Sequence, residues 1–212
     1  MDDNSTAPAG ENTHEITSRF FNRELSWLEF NRRVLAEASN PRYPLLERLR
    51  FLSISGNNLD EFQMVRVAGL AGQVRSQIEE MSIDGMTPSQ QLVAIHKVEM
   101  DLEQTQQRIW TELKALLAKQ GFRIISRERI DAKRERWLKD YCLDHIMPII
   151  TPQAIDPAHP FPFVSNQGMG VLFSLTRIAD DAPIMEMVLI PSALPRFIRV
   201  PGPEPIYISI ED

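Results

Sequence analysis

Few side chains in this sequence are placed to do chemistry. The densest group is the run Ser55-Gly56-Asn57-Asn58-Leu59-Asp60-Glu61-Phe62. Asn57 and Asn58 carry neutral carboxamides that both donate and accept hydrogen bonds, which suits reading a polar ligand better than moving a proton. Glu61 lies three residues after Asn58, the spacing of a helix capping box, with Asp60 also in the first turn. Two readings therefore stand side by side: a turn closed by a helix cap, or a ligand-reading corner at the junction of two helices. Asp60 and Glu61 could hold magnesium, but capping explains acids in a first helical turn more simply. Arg23, Arg32, Arg33, Arg48 and Arg50 gather nearby, as a solvated face or as phosphate contacts. The four histidines, His14, His96, His145 and His159, show no metal-ligand spacing. His96 and His145 fall on helices, solvent-facing or capping, and His159 is expected to pack among the prolines and phenylalanines of AHPFPF. There is no GxxxxGK[ST], GxGxxG or GxSxG. On this reading the chain holds no catalytic residue and no metal ligand.

Composition narrows the classes further. The 212 residues, 43% hydrophobic and 25% charged, are those of an ordinary globular protein of one large or two small domains. A formal net charge of −6 argues against a general nucleic-acid binder. The single cysteine, Cys142, excludes an internal disulfide framework and points to a reducing, cytoplasmic setting. No apolar run approaches the roughly 20 residues of a transmembrane helix, and the acidic start MDDNSTAPAGEN is not a signal peptide.

The elements that must position these residues follow from periodicity. Residues 1–18 are polar and aperiodic, a disordered lead-in. A first helix spans about 23–38, with Trp27, Phe30, Val34 and Ala38 at helical spacing and Leu28 and Leu35 widening the stripe. A second starts near Pro44 and ends before Gly56. A third runs from Asn58 to about 80 on Leu59, Phe62, Val65 and Leu70. After an Asp84-Gly85 turn, Thr87 caps a fourth helix, with Pro88 at its first position and Gln90 closing a capping box. That helix keeps its period as far as Gly121, about 32 residues or roughly 48 Å. These four helices read as a bundle over 19–120; a coiled-coil rival is disfavoured by short, aromatic-rich helices.

From residue 121 the pattern changes to α+β. FRIIS reads as a short strand, and Asp131 caps a helix carrying Trp137, Leu138, Tyr141, Cys142 and Ile146, stopped by Pro148. Five prolines between 148 and 162 stiffen an extended crossover. Strands are expected at 169–176, 184–190, 196–200 and 206–210, in an antiparallel sheet. The chain stops at Glu211-Asp212, just after a strand. A sheet with one face poorly covered, in a piece cut from a longer protein, is the expectation.

Taken whole, RELSWLEFNRRVLAEA, PLLERLRFLSISGNNLDEFQMVRVAGL, the long helix and TPQAIDPAHPFPFVSN resemble the start of bacterial polyphosphate kinase of the large, histidine-phosphorylating type. The resemblance runs from about residue 19 to the end. It implies an N-terminal helical domain (19–120), a truncated head domain (121–212), and two absent C-terminal domains related to phospholipase D. It also implies reversible transfer of the terminal phosphate of ATP to polyphosphate through a phosphohistidine, by a homo-oligomer with the head domain involved. Asn58 matches the family's nucleotide-binding Asn in S-x-N-N-L-D-E-F, with Gly56 standing where many members have another small residue. The phosphoaccepting histidine, its catalytic partner and the magnesium ligands belong to the C-terminal domains. ATP, ADP and polyphosphate are the implied substrates, and this portion by itself is expected to be inactive. With Asp60 and Glu61 at a helix start, a triphosphate would be repelled, so Asn58 is expected to face adenine. The alternative is a stand-alone helical interaction and oligomerisation module without catalysis.

Overall fold

The computed structural model describes residues 19–212; the expected lead-in and His14 lie outside the described residues. The chain divides into two compact units, one ending at Leu113 and the other starting at Lys114.

Unit 1 is helical. Helix α1 (Arg23–Glu37) begins at Asn22, whose Oδ1 accepts from the backbone N–H of Glu24 at 3.0 Å and Leu25 at 3.1 Å. Its buried face is Leu28, Asn31, Leu35 and Ala38, one position round from the expected stripe. Phe30 is 47% exposed, and Trp27 stacks on Phe62 with ring centroids 4.8 Å apart.

The expected break at Gly56 to Asn58 is not there. Helix α2 (Leu45–Phe62) runs straight through it, so Asn58 is a mid-helix residue and not an N-cap. Asp60 and Glu61 accordingly sit in the last turn of α2 rather than the first turn of a new helix. The physical reason is that glycine costs a helix interior only about 1 kcal/mol. Meanwhile Ser55, Leu59 and Phe62 recur at helical spacing and are all buried on one face. The real irregularity comes later, as a π-helical turn at Gln63–Val67 that leads into α3 (Ala68–Arg75). Helix α3 ends short of residue 80 because Gln77 adopts φ +56° and the Ile78 N–H turns back to the Gln73 carbonyl at 2.9 Å.

The connection to the long helix is built as its sequence indicates. Gly85 takes φ +84°, and Ser82 Oγ donates to Asp84 Oδ1 at 2.6 Å. Helix α4 (Pro88–Lys119) has 32 residues. The capping box is present: Thr87 N–H donates to Gln90 Oε1 at 2.9 Å, and Gln90 N–H to Thr87 Oγ1 at 3.3 Å. Ile95, Leu102, Ile109 and Leu113 are buried along it.

Unit 2 holds two three-stranded sheets rather than one. Asp131 caps α5 (Ala132–Tyr141), accepting from Lys133 N–H and Arg134 N–H, and a π-helical turn, Cys142–Ile146, follows. In the first sheet β1 (Arg123–Ile124) runs parallel to β6 (Ile206–Ser209), which pairs antiparallel with β5 (Phe197–Val200). Ile198, Val200, Ile206 and Ile208 form its buried core, with Trp137, Leu138, Tyr141 and Ile146 packed against them. The second sheet is wholly antiparallel: β2 (Pro152–Ala154), β4 (Pro183–Ile190) and β3 (Met169–Thr176) in that order. β2 is the one strand in the proline-rich segment, with Pro152 at its start on the sheet edge, where a missing donor does least harm. Of the residues in this sheet only Met187 is buried; Leu172, Phe173, Leu175 and Met185 stay open to solvent.

Two substitutions test these assignments. A methyl group added at Gly56 would meet no atom within 4 Å. Gly56→Ala should therefore raise the unfolding free energy by about 0.5–1 kcal/mol, as for glycine to alanine inside a helix. A helix broken at Gly56 would give no such gain in a urea melt. Thr87→Ala should cost about 1 kcal/mol by the same assay through loss of the cap.

Candidate functional site

Asn58 is the one residue that the sequence offers as a ligand contact, and its surroundings are set by buried polar groups. Asn31 on α1 and Ser55 on α2 are both 0% exposed. Buried polar groups are tolerated only when paired, and these are. Asn31 Nδ2 donates to the Ser55 main-chain carbonyl at 3.0 Å. Asn58 Nδ2 donates to Asn31 Oδ1 at 3.1 Å. From α4, Gln106 Nε2 donates to Ser55 Oγ at 3.0 Å. A chain of amides thus ties three helices together and ends at the half-buried Asn58.

Two further polar rungs stand on the apolar face of α4. Gln91 accepts from Asn22 Nδ2 at 3.2 Å, which links the start of α4 to the cap of α1; the same nitrogen lies 3.2 Å from Asp84 Oδ1. Glu99, 5% exposed, accepts from Gln63 Nε2 in the π-helical turn at 2.5 Å. Burial pushes the Glu99 carboxyl above its ordinary range; the Gln63 hydrogen bond works the other way. Gln91, Glu99 and Gln106 recur about every two turns, so each reaches a different segment of unit 1.

The other candidates do not converge. Asp60 and Glu61 are exposed. Arg32 is engaged by Glu29 and Asp101, Arg48 donates to the Ala38 carbonyl at 2.8 Å, and Arg50 lies 3.8 Å from Glu47. Arg23 and Arg33 are exposed, so the basic residues do not form one phosphate cradle. His96 is exposed. His145 lies in the π-helical turn and stacks on Tyr141 at 4.6 Å. His159 does not pack into the aromatic segment: it is exposed, with Nδ1 2.8 Å from Asp156 Oδ1. That bond is the main cause of the Asp156 carboxyl lying below its ordinary range. Among the described residues no group of three His, Cys, Asp or Glu side chains could hold a metal ion.

Sequence reasoning missed Asn31, Ser55 and Gln106. The available signal was a polar residue inside an apolar stripe: Asn31 between Leu28 and Leu35, Gln106 between Leu102 and Ile109. What the assembled group can do is form neutral, directional hydrogen bonds at Asn58. It has no nucleophile and no proton-transfer pair.

Comparison with known proteins agrees with this architecture. A family model described as the polyphosphate kinase N-terminal domain matches residues 20–125, and one described as the polyphosphate kinase middle domain matches 133–212. A polyphosphate kinase of Erythrobacter litoralis is 59% identical over 197 residues, covering 93% of this chain and 27% of the relative. One from Thermosynechococcus vestitus is 43% identical over 183 residues, covering 86% and 25%. The crystal structure of the polyphosphate kinase from Porphyromonas gingivalis superposes with a TM-score of 0.75 at 27% identity, covering 91% of this chain and 29% of that one. The chain therefore spans about a quarter of the length of the relatives it matches. With two adjoining family models running from residue 20 to residue 212, the chain belongs to the polyphosphate kinase family.

Proposed function

We propose that this chain is the N-terminal portion of a longer ATP:polyphosphate phosphotransferase, which moves the terminal phosphate of ATP reversibly onto polyphosphate through a phosphohistidine. The portion seen here supplies nucleotide-side contacts and domain packing, with Asn58 as the contact to ATP. The phosphoaccepting histidine and the magnesium ligands lie outside it, and the chain alone is inactive. The observation that carries this reading is the half-buried Asn58 carboxamide, held from one side by Asn31 and open on the other. The exposed apolar side chains of the β2-β4-β3 sheet support a packing role. We place the protein in the cytoplasm, as a homo-oligomer; no described helix is long and apolar enough to cross a membrane.

The test is Asn58→Ala in the full-length protein carrying this sequence. Losing a contact made equally in ground and transition states should raise KM for ATP about five- to tenfold with little change in kcat. Phosphohistidine formation at saturating ATP should persist. An unchanged KM would reduce Asn58 to a structural partner of Asn31. One amide contact contributes about 1–3 kcal/mol, against the roughly 8 kcal/mol of micromolar affinity. Calorimetry on residues 1–212 should accordingly detect no micromolar ATP binding.

A further inference from the structure

We propose that Asn31 is a positioning residue that fixes which end of the Asn58 carboxamide faces the nucleotide. It turns the Asn58 oxygen outward, so that the site selects a base bearing an amino group. The proposal rests on the reading that Asn58 meets the nucleotide.

The argument is one of hydrogen-bond polarity passed along a chain. A main-chain carbonyl can only accept. The Ser55 carbonyl, in the body of α2, therefore requires the nitrogen end of Asn31, and Nδ2 lies 3.0 Å from it. Asn31 is 0% exposed and trapped between α1 and α2, so no solvent is available to satisfy it the other way round. Its oxygen is thereby committed to the Asn58 side. An oxygen again can only accept, so Asn58 must turn Nδ2 inward, at 3.1 Å. Reversing Asn58 would set one amide oxygen against another. What Asn58 has left for a ligand is Oδ1, which accepts from no described residue, and one remaining N–H.

An outward oxygen with an N–H beside it matches a donor next to an acceptor. The 6-amino group of adenine with N7 beside it is such a pair. On that edge a 6-oxo purine presents two acceptors, O6 and N7, and leaves Oδ1 without a donor; phosphate oxygens present acceptors only. The adenine end of the nucleotide follows from this polarity, without the acidic helix start that the sequence suggested. Ser55 is held from the far side by Gln106, so the orientation is built into three helices.

The experiment measures KM and kcat with ATP and with inosine triphosphate in the full-length protein, for the unaltered enzyme, Asn58→Ala, Asn31→Leu and Asn31→Asp. The unaltered enzyme should show a KM about tenfold lower for ATP, the difference between one hydrogen bond made and one opposed. Asn58→Ala should abolish the gap. Asn31→Leu, close in volume but unable to orient the amide, should shrink it to about twofold, with the loss falling on KM rather than kcat. Asn31→Asp, kept protonated by its full burial beside the Ser55 carbonyl, donates its hydroxyl to that carbonyl, still offers an oxygen to Asn58 and should restore the gap. If Asn31→Leu does not fold, Asn31→Ala, which likewise has no polar side-chain atom, takes its place. A gap retained in Asn31→Leu or Asn31→Ala, or no gap in the unaltered enzyme, overturns the proposal while leaving Asn58 a contact. An Asn58→Ala enzyme with unchanged KM for both nucleotides overturns the underlying reading instead.

Discussion

A carbonyl oxygen cannot donate, and much of unit 1 answers to that constraint at Ser55. The buried Asn31 amide must meet the Ser55 carbonyl with its nitrogen, which sets the rotation of α1 against α2. Around this bond the apolar positions fall into place: Leu28 and Leu35 flank Asn31, and Leu59 and Phe62 follow Ser55 on the inward face of α2. The rungs of α4 act in the same sense. Gln91, Glu99 and Gln106 each have a partner on another segment, so sliding α4 by one turn would leave several buried polar groups unpaired. Apolar contact alone is indifferent to such slips; paired polar groups are not.

Much of the fold was legible where local chemistry decides structure. The Thr87 and Gln90 capping box, the Asp131 cap and the Met169–Thr176 strand lie where their sequence signals put them. Reading failed where tertiary packing outweighed local preference. Gly56 with two asparagines reads as a break, yet the cost of keeping them helical is small beside the burial of Ser55, Leu59 and Phe62. The stripe on α1 was taken from its largest residues, whereas the buried face passes through a polar one. The parallel pairing of β1 with β6 has no local signature, because its strands are remote in sequence.

The candidate site shows a sharper division. Periodicity placed Asn58 as a cap, which it is not, and made its ligand role the less favoured alternative. Family resemblance singled it out. The two acids expected to define its electrostatics stand exposed in the last turn of the same helix and not at a helix start, so they do not occupy a positive helix end. The orientation of its amide is set by Asn31 instead, a residue that interrupts the apolar stripe of α1.

The closure of unit 2 on its own first strand has a consequence for biosynthesis. Arg123 and its partner Ile206 lie about 80 residues apart, with α5 and the whole β2-β4-β3 sheet between them. At a synthesis rate of about 5–20 residues per second, β1 waits roughly 4–16 s for the strand it pairs with. The helical unit, ending at Leu113, faces no such delay. A nascent chain therefore passes through a stage in which its helices are settled while β1 has no partner and the isoleucines of β5 and β6 are not yet made. For that interval Trp137, Leu138 and Tyr141 lack the isoleucine face that they pack against in the folded unit.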